Sequence, residues 1–494
     1  QCNHPNSFAV KMALPDLIEI VPLEKPVRAE ITVPGSKSIT NRALILAALA
    51  DGEVTLTGAL WSEDTQIMVE CLQKLGFEIR VENDPDEFCN RTITVKGLGG
   101  KIPNSGTAEK PLELLVGNAG TAARFLAAFV CLGNGVYRLS GVPRMHERPQ
   151  AALFSALREL GYRVESENNK LPVVIFGRSR GDETQIEKEN QRLLTSSPTK
   201  KRCRVSIEES SQFASALLLC AKTGNWGIEI VGENAEESPY VAMTSKMIEA
   251  FPHRGGKFQI EPDASSGSYF WNAGNAELIN KIGDKWNSQF TVKVASWPRS
   301  DWQIDQKFLD YFASTETLTK NFAKTHLQLD DVVISKKIHE ESQYGTELKI
   351  SRAKDLGDSI MTAIVLAPLL IMKCAKFTDL GRLRLQETER VVALRTELTK
   401  CGAKVVEEGD TLTVYPSQLH GAEIETYNDH RMAMCFAVLG LKVPGIKIKN
   451  PACVKKTFSN FFQKLAAPPP HGLGATILDA KTGKKLEHEE LFAD

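Results

Sequence analysis

One pattern of apolar and polar positions returns several times along the chain. A periodic apolar stretch closes on a leucine-rich turn and a glycine, a short alternating run follows, and a turn leads into a second alternating run. LQKLGFEIRVE (Leu72–Glu82) leads into RTITVKG, and LRELGYRVESE (Leu157–Glu167) into LPVVIFG. LTKCGAKVVEEGDTLTVYP (Leu398–Pro416) carries the whole unit, with Gly409-Asp410 as its hairpin turn, and MIEAFPHRGGKFQIE (Met247–Glu261) is a looser copy. Within each copy the apolar period changes from that of a helix to that of a strand. Gly76, Gly161 and Gly402 stand where the residue after a helix needs a left-handed backbone. The irregular spacing predicts a βαβ-type unit repeated within globular lobes, not a short-period solenoid. Alternation of helix and strand sets the class as α/β.

Two segments break the pattern. Arg178 to Arg204 is polar and basic, ending KENQRLLTSSPTKKRCR, and is expected to be a solvated surface insertion. Trp271 to Leu327 is irregular and rich in Asn, Lys and Trp. Residues 466–494 contain Pro468–Pro470 and show no apolar periodicity, which predicts a flexible C-terminal tail.

With 494 residues the chain can form two or more domains. A net charge of −1 supplies no bulk field for nucleic acid or a membrane surface, so any cationic site must be local. The longest apolar run, Ile360 to Met372, is broken by Pro368 and too short to cross a bilayer. The 10 cysteines form no CxxC pair, and several (Cys71, Cys131, Cys220, Cys435) sit inside helical apolar patterns. That usage suits a reducing, cytoplasmic setting. The N-terminus shows neither a signal-peptide core nor a transit pattern, and its start on Gln1 leaves open a trimmed product or part of a longer polypeptide.

Charged groups recur at predicted helix starts. PGSKSITNR brings Lys37, Ser38 and Arg42 to a strand–turn–helix junction whose free N–H groups favour an anion. GNAGTAARF places Gly120 and Thr121 before Arg124. GVPRMHERPQ carries Arg144 and Arg148, of which one can pair with Glu147 and the other reach a ligand. SSQF brings Ser210, Ser211 and Gln212 to another start. LGDSIMTAIVL mounts Asp358 at the mouth of an apolar helix, and LQETER sets Glu387, Glu389 and Arg390 around a Thr388 cap. YNDHRMAM and PACVKKTF add Asp429, His430, Arg431, Lys455 and Lys456. Each stretch taken alone is equally a capped helix or a core helix with an incidental charge. Together, seven cations (Lys37, Arg42, Arg124, Arg144, Arg390, Arg431, Lys456) and two carboxylates make what two phosphorylated or carboxylated ligands require. The 9 histidines show no HxH or HExxH spacing, and GxGxxG is missing, so no metal and no cofactor is expected.

PGSKSITNRAL, GNAGTAAR, PRMHERP, SSQF, EPDASSGSYF, the Asp358 helix, QETER, YNDHRMAM and KKTF follow one another between Val27 and Leu465. In this order they resemble the 5-enolpyruvylshikimate-3-phosphate synthase family. The resemblance implies two similar lobes, each of three βαβαββ units with pseudo-threefold symmetry, and an active site in the cleft between them. Residues 1–34 plus 263–465 would form the first lobe and 35–262 the second. The implied enzyme, a monomer without metal or cofactor, joins phosphoenolpyruvate to the 5-hydroxyl of shikimate 3-phosphate through a tetrahedral intermediate and releases phosphate. Asp358 would deprotonate or orient the hydroxyl, Glu387 would exchange a proton at the methylene, and Lys37 would touch both substrates. Ser38, Arg42, Ser210, Ser211 and Gln212 would hold shikimate 3-phosphate. Gly120, Arg124, Arg144, Arg390, Arg431 and Lys456, with Gln212, would surround phosphoenolpyruvate.

Three departures accompany the match. Gln386 stands where the family commonly has a lysine on the shikimate phosphate, so Arg382 or Arg384 is expected to replace it. Phe125 follows the motif arginine where many members have Pro, and Glu237-Ser238 departs from Ser-x-Pro-Tyr. Gly120 keeps the small residue that the family associates with glyphosate sensitivity. A sister enolpyruvyl transferase acting on UDP-N-acetylglucosamine shares the fold but typically starts SKNA and carries a loop cysteine; here the start is Gly35-Ser36-Lys37-Ser38. A catalytically inactive phosphate-binding relative is the other alternative, and the retained Asp358 and Glu387 argue against it.

Overall fold

The computed structural model describes residues 14–25, 27–178, 200–232, 238–273, 292–311, 347–370 and 372–493. Among them are four four-stranded sheets and two two-stranded sheets. The repeat is complete in two places. Leu112–Leu115 lies parallel to Val136–Ser140 across the helix Gly120–Phe129; the helix Ala151–Glu159 then leads to the antiparallel pair Arg163–Glu165 and Val173–Phe176. Glu347–Ser351, Ile360–Leu366, Cys374–Thr378, Arg390–Lys400, Val405–Glu408 and Thr411–Val414 repeat that order. Glu408 pairs with Thr411, so Gly409-Asp410 is a two-residue hairpin turn, with Gly409 at φ +56°. Gly76, Gly161 and Gly402 have φ of +95°, +89° and +90°, the left-handed backbone that ends each helix.

Each of the six sheets contains one parallel pair, and a helix stands before one strand of it. These helices are Lys37–Leu49, Gly120–Phe129, Gln212–Gly224, Ala264–Ala273, Ile360–Leu366 and His430–Gly440. Every residue of Gly120–Phe129 and of Ile360–Leu366 is buried, because the sequence is apolar round the whole circumference. A helix wrapped in this way can present polar groups only at its ends.

The buried apolar residues fall into two cores. One runs from Ile39 to Ile260; the other takes Leu14–Val33, Cys89 and residues from Tyr269 to Ala493. The chain crosses between them twice, and the crossings pair with each other: Ser36 N donates to Glu261 O and Asp263 N to Pro34 O, both at 2.8 Å. A Cβ on Gly35 would lie 2.0 Å from Gly58 O, so no larger residue fits there. Beside the crossings, the loop joining Ile79–Asn83 to Asn90–Leu98 enters the second core. Its buried Glu87 is held by Lys464 at 2.8 Å, by Asn460 at 2.9 Å and by Thr32 at 2.5 Å.

Two expectations are corrected. Residues 466–494 are folded. Ile477–Asp479 pairs antiparallel with Leu17–Ile20, and Leu473, Ala475, Ile477, Leu486 and Leu491 are buried in the second core. The reason is the edge of the first strand, which Ile477–Asp479 pairs, while Leu473, Ala475 and Ile477 turn into the second core. Of the stretch 178–204, residues 179–199 lie outside the described residues, as do 274–291 and 312–327 of Trp271 to Leu327. The basic end of the former is no loop: Lys201–Ser206 is a strand, parallel to Trp226–Val231, with Cys203 and Val205 buried.

A folded tail predicts that Leu491→Ala, at a fully buried position, costs about 2–5 kcal/mol in a urea or guanidinium unfolding curve. A loose tail would leave the curve unmoved.

Candidate active site

The starts of the six buried helices open on one cavity between the two cores. Its walls include Lys37, Ser38, Arg42, Gly120, Arg124, Ser210, Ser211, Gln212, Asp358, Glu387, Arg390 and Arg431. Lys456 stands behind them, its Nζ 3.0 Å from Glu387 Oε1. Helix starts direct N–H groups and the positive end of the macrodipole into the cavity, which suits anions.

On the first wall, Lys37 Nζ lies 3.2 Å from Asp64 Oδ2. Arg42 is 2% exposed and braced by protein oxygens: Nε donates to Thr244 Oγ1 at 2.7 Å, Nη1 to Ser38 O at 2.9 Å and Nη2 to Ser215 Oγ at 3.0 Å. Arg124 Nη1 donates to Gln212 Oε1 at 2.6 Å, and Gln212 Nε2 to Thr121 Oγ1 at 3.1 Å. A Cβ on Gly120 would come within 2.8 Å of both Arg148 Nη atoms and 2.9 Å of Arg124 Nη1. The glycine is what lets two guanidiniums share that helix start. Burial, followed by the charge of Arg148, pulls Arg124 down to about 9.

The second wall holds the carboxylates. Arg390, 1% exposed, donates from Nε to Asp429 Oδ2 at 2.7 Å and from Nη2 to Glu387 Oε2 at 2.8 Å; its Nη1 also bonds Gln386 Oε1. Burial alone would push Glu387 up, but Lys456, Arg390 and Arg148 together hold it well below the ordinary carboxylate range. Asp358 accepts from Arg352 Nη2 at 2.6 Å and faces Arg431 Nη2 at 3.4 Å. Burial again works upward, and Arg352, Arg431 and Arg390 outweigh it, so this carboxyl too stays ionised. Burial drives His430 well below its ordinary value and leaves it neutral. The cap near Glu387 is Glu389, which accepts from Val392 N at 2.5 Å, and not Thr388.

One candidate is placed elsewhere. Arg144 does not line the cavity: it is exposed and pairs with Glu147 at 2.5 Å, one turn along the short helix Pro143–Glu147. Arg148, just past that helix, is the arginine of this loop on the cavity wall. The i, i+3 spacing of Arg144 and Glu147 was the signal that separates the two. Asp64, Asp305 and Arg352 also line the cavity without having been singled out in the sequence. Ser238 is buried, whereas Glu237 lies outside the described residues. All nine described cysteines are free and buried. No group of three or more His, Cys, Asp or Glu among the described residues could hold a metal ion, and no described helix is long and apolar enough to cross a membrane.

The architecture is that of the two-domain enolpyruvyl transferases. An EPSP synthase from Acinetobacter baumannii superimposes with a TM-score of 0.58 at 19% identity, covering 91% of this chain and 97% of that one. The enolpyruvyl transferase NikO from Streptomyces tendae gives 0.56 at 13% identity, covering 96% and 100%. The chain belongs to the EPSP synthase (3-phosphoshikimate 1-carboxyvinyltransferase) family, whose model matches residues 21–254 and 252–465. Relatives named 3-phosphoshikimate 1-carboxyvinyltransferase are 34% identical in Trichormus variabilis (91% of this chain, 98% of the relative) and 36% identical in Shewanella baltica (89% and 97%).

Asp305 permits a test of the site's electrostatics. It accepts from Ser359 N at 2.7 Å, and burial, then the charge of Asp358, raises it to about 7. A carboxyl raised on folding favours the folded state below its unfolded value near 4, and that contribution is lost as pH rises through about 7. The Tm of Asp305→Asn should therefore gain on that of the wild type between pH 4 and 8. A difference that is constant or shrinks would contradict the assignment.

Proposed function

We propose that the chain transfers the enolpyruvyl group of phosphoenolpyruvate to the 5-hydroxyl of shikimate 3-phosphate and releases phosphate. The observation that carries this reading is the pair of carboxylates in one cavity, each set against its own group of cations. Glu387 faces Lys456, Arg390 and Arg148; Asp358 faces Arg352 and Arg431. Family membership and the relatives' shared name support the same reaction.

Phosphoenolpyruvate takes the cations around Glu387: Arg124 and Arg148 at the Gly120 helix start, Arg390, Lys456, and Lys37 toward the second substrate, with Arg431 on the far side. Shikimate 3-phosphate lies against Lys37, Ser38, Arg42, Ser210, Ser211 and Gln212, with its 5-hydroxyl toward Asp358. Asp358 accepts the hydroxyl proton as the oxygen adds to C2, and C3 gains a proton from the Glu387 side. The tetrahedral intermediate then loses a proton from C3 and phosphate from C2, restoring the double bond. Glu387 is held ionised while it owns its cations; an anion that shares Lys456, Arg390 and Arg148 raises its proton affinity at the moment an acid is needed.

Residues 34/35 and 262/263 serve as the lobe junctions in this reading, because the paired crossing strands are narrow and the two cores lie on either side. The chain is taken to act as a monomer, and nine free buried cysteines among the described residues suit the cytoplasm.

Phosphate release, measured with both substrates together and with each alone, tests the reaction. Release only with both is expected, and none at all would refute the proposal and favour an inactive phosphate-binding relative. Glu387→Gln should still bind shikimate 3-phosphate while kcat falls about 10²–10⁴-fold. The two arginines of the 143–149 loop should also separate. Arg148→Ala should raise KM for phosphoenolpyruvate about 10- to 100-fold, the loss of a charge-assisted contact, and Arg144→Ala should leave it within about threefold. Equal effects would remove Arg148 from the site.

A further inference from the structure

Three positions bear on the missing cation at 386. Gln386 carries no charge, and its side-chain oxygen is engaged by Arg390. Arg384 is enclosed by Glu389, Glu407 and Asp410 and does not line the cavity. Arg382 does line it: Nη2 crosses to the opposite wall and donates to Ile207 O at 2.6 Å, three residues before Ser210.

A second guanidinium faces the same space. Arg352 opens the turn Arg352–Leu356 after the strand Glu347–Ser351 and is 6% exposed. Nη2 reaches Asp358 at 2.6 Å, while Nε is buried without a hydrogen-bond partner. Asp358 is shared with Arg431 at 3.4 Å and Arg390 at 4.0 Å. Arg352 and Arg382 line the same cavity, and burial, then the charge of Arg352, lowers the proton affinity of Arg382. Several guanidiniums around one carboxylate leave positive charge that an anion would complete, and a buried unpaired donor is costly unless a ligand takes it. Across the gap lie Ser210, Ser211 and the start of Gln212–Gly224, which has no side-chain cap.

We infer that Arg352 and Arg382 form the seat for the phosphate monoester of shikimate 3-phosphate in this chain, opposite Ser210 and Ser211, in place of a cation at position 386. The inference rests on the proposed reaction. It divides the cations of the cavity into a phosphoenolpyruvate group near Glu387 and a phosphate group near Asp358. Arg382 also reads whether the walls are together, because it touches the loop of the opposite wall.

Calorimetric titration of the purified protein with shikimate 3-phosphate, and separately with shikimate, tests the seat. Arg382→Gln and Arg352→Gln should each weaken shikimate 3-phosphate about 10- to 100-fold, and Arg382→Gln, which leaves the Asp358 pair intact, should change unphosphorylated shikimate little. Arg384→Gln should stay within about threefold. Adding Gln386→Lys to Arg382→Gln should recover most of the lost affinity, which repair of a merely structural defect would not do. Wild-type binding of shikimate 3-phosphate with unchanged affinity in both Arg382→Gln and Arg352→Gln overturns the seat and leaves the reaction standing. No binding and no phosphate release by the wild type overturns the reaction, and the seat with it.

Discussion

Arg390 is the charge on which the second wall depends. At 1% exposure its guanidinium has no access to bulk water, so its neighbours must satisfy it. They do so from three separate segments: Asp429 before one helix, Glu387 and Gln386 in the preceding turn, and Asp358 at 4.0 Å. Withdrawing one partner of a buried ion pair costs about 3–5 kcal/mol, so these segments hold a common register or the wall does not form. The same network keeps both carboxylates ionised and oriented. Stability of the wall and readiness for proton transfer therefore have one origin.

The two walls meet the same demand differently. Six apolar helices bring their starts to one cavity, and each start has N–H groups needing acceptors. In the first half, Lys37–Leu49, Gly120–Phe129 and Gln212–Gly224 have no side-chain cap hydrogen bond. In the second half, Asp429 accepts from Arg431 N and Asp263 from Ser266 N. Bare helix starts with Lys37, Arg124 and Arg148 make an anion grip. Carboxylate-rich starts make a place for protons, and a reaction joining two anions through proton transfers needs both faces.

Much of this was legible because local rules act locally. The helix–Gly–strand repeat, the Gly409-Asp410 hairpin and the cation-bearing helix starts all depend on neighbours within a few residues. The misreadings share a cause. The tail looked loose because Pro468–Pro470 dominate its opening, while Ile477–Asp479 acquires meaning only against the edge of Leu17–Ile20, and Leu473 and Ala475 only against the second core. Arg144 and Arg148 differ by one helical turn, and only the short helix Pro143–Glu147 decides which faces inward. Asp305 joins the site through a contact made far along the chain, at Ser359, and Arg352 through Asp358 across an irregular turn; no apolar periodicity announces either.

Contacts between the halves are of two kinds, and the difference bears on how the cleft can work. Beside the crossing strands, Glu87 is buried and fully partnered by Lys464, Asn460 and Thr32, and Cys89 belongs to the second core. Separating these groups would strand a buried carboxylate, so that contact must persist through any relative motion. At the cavity mouth the bridges are single hydrogen bonds: Arg382 to Ile207 O at 2.6 Å and the exposed Arg144 to Gln386 O at 3.5 Å. Such bonds contribute about 0.5–3 kcal/mol each and can be exchanged for water or for a ligand oxygen. The firm contact therefore lies at the crossings, beside Pro34–Gly35 and Pro262–Asp263, and replaceable ones at the mouth. An anion bridging Arg382 to Ser210 and Ser211, as inferred above, would draw the walls together where single hydrogen bonds join them.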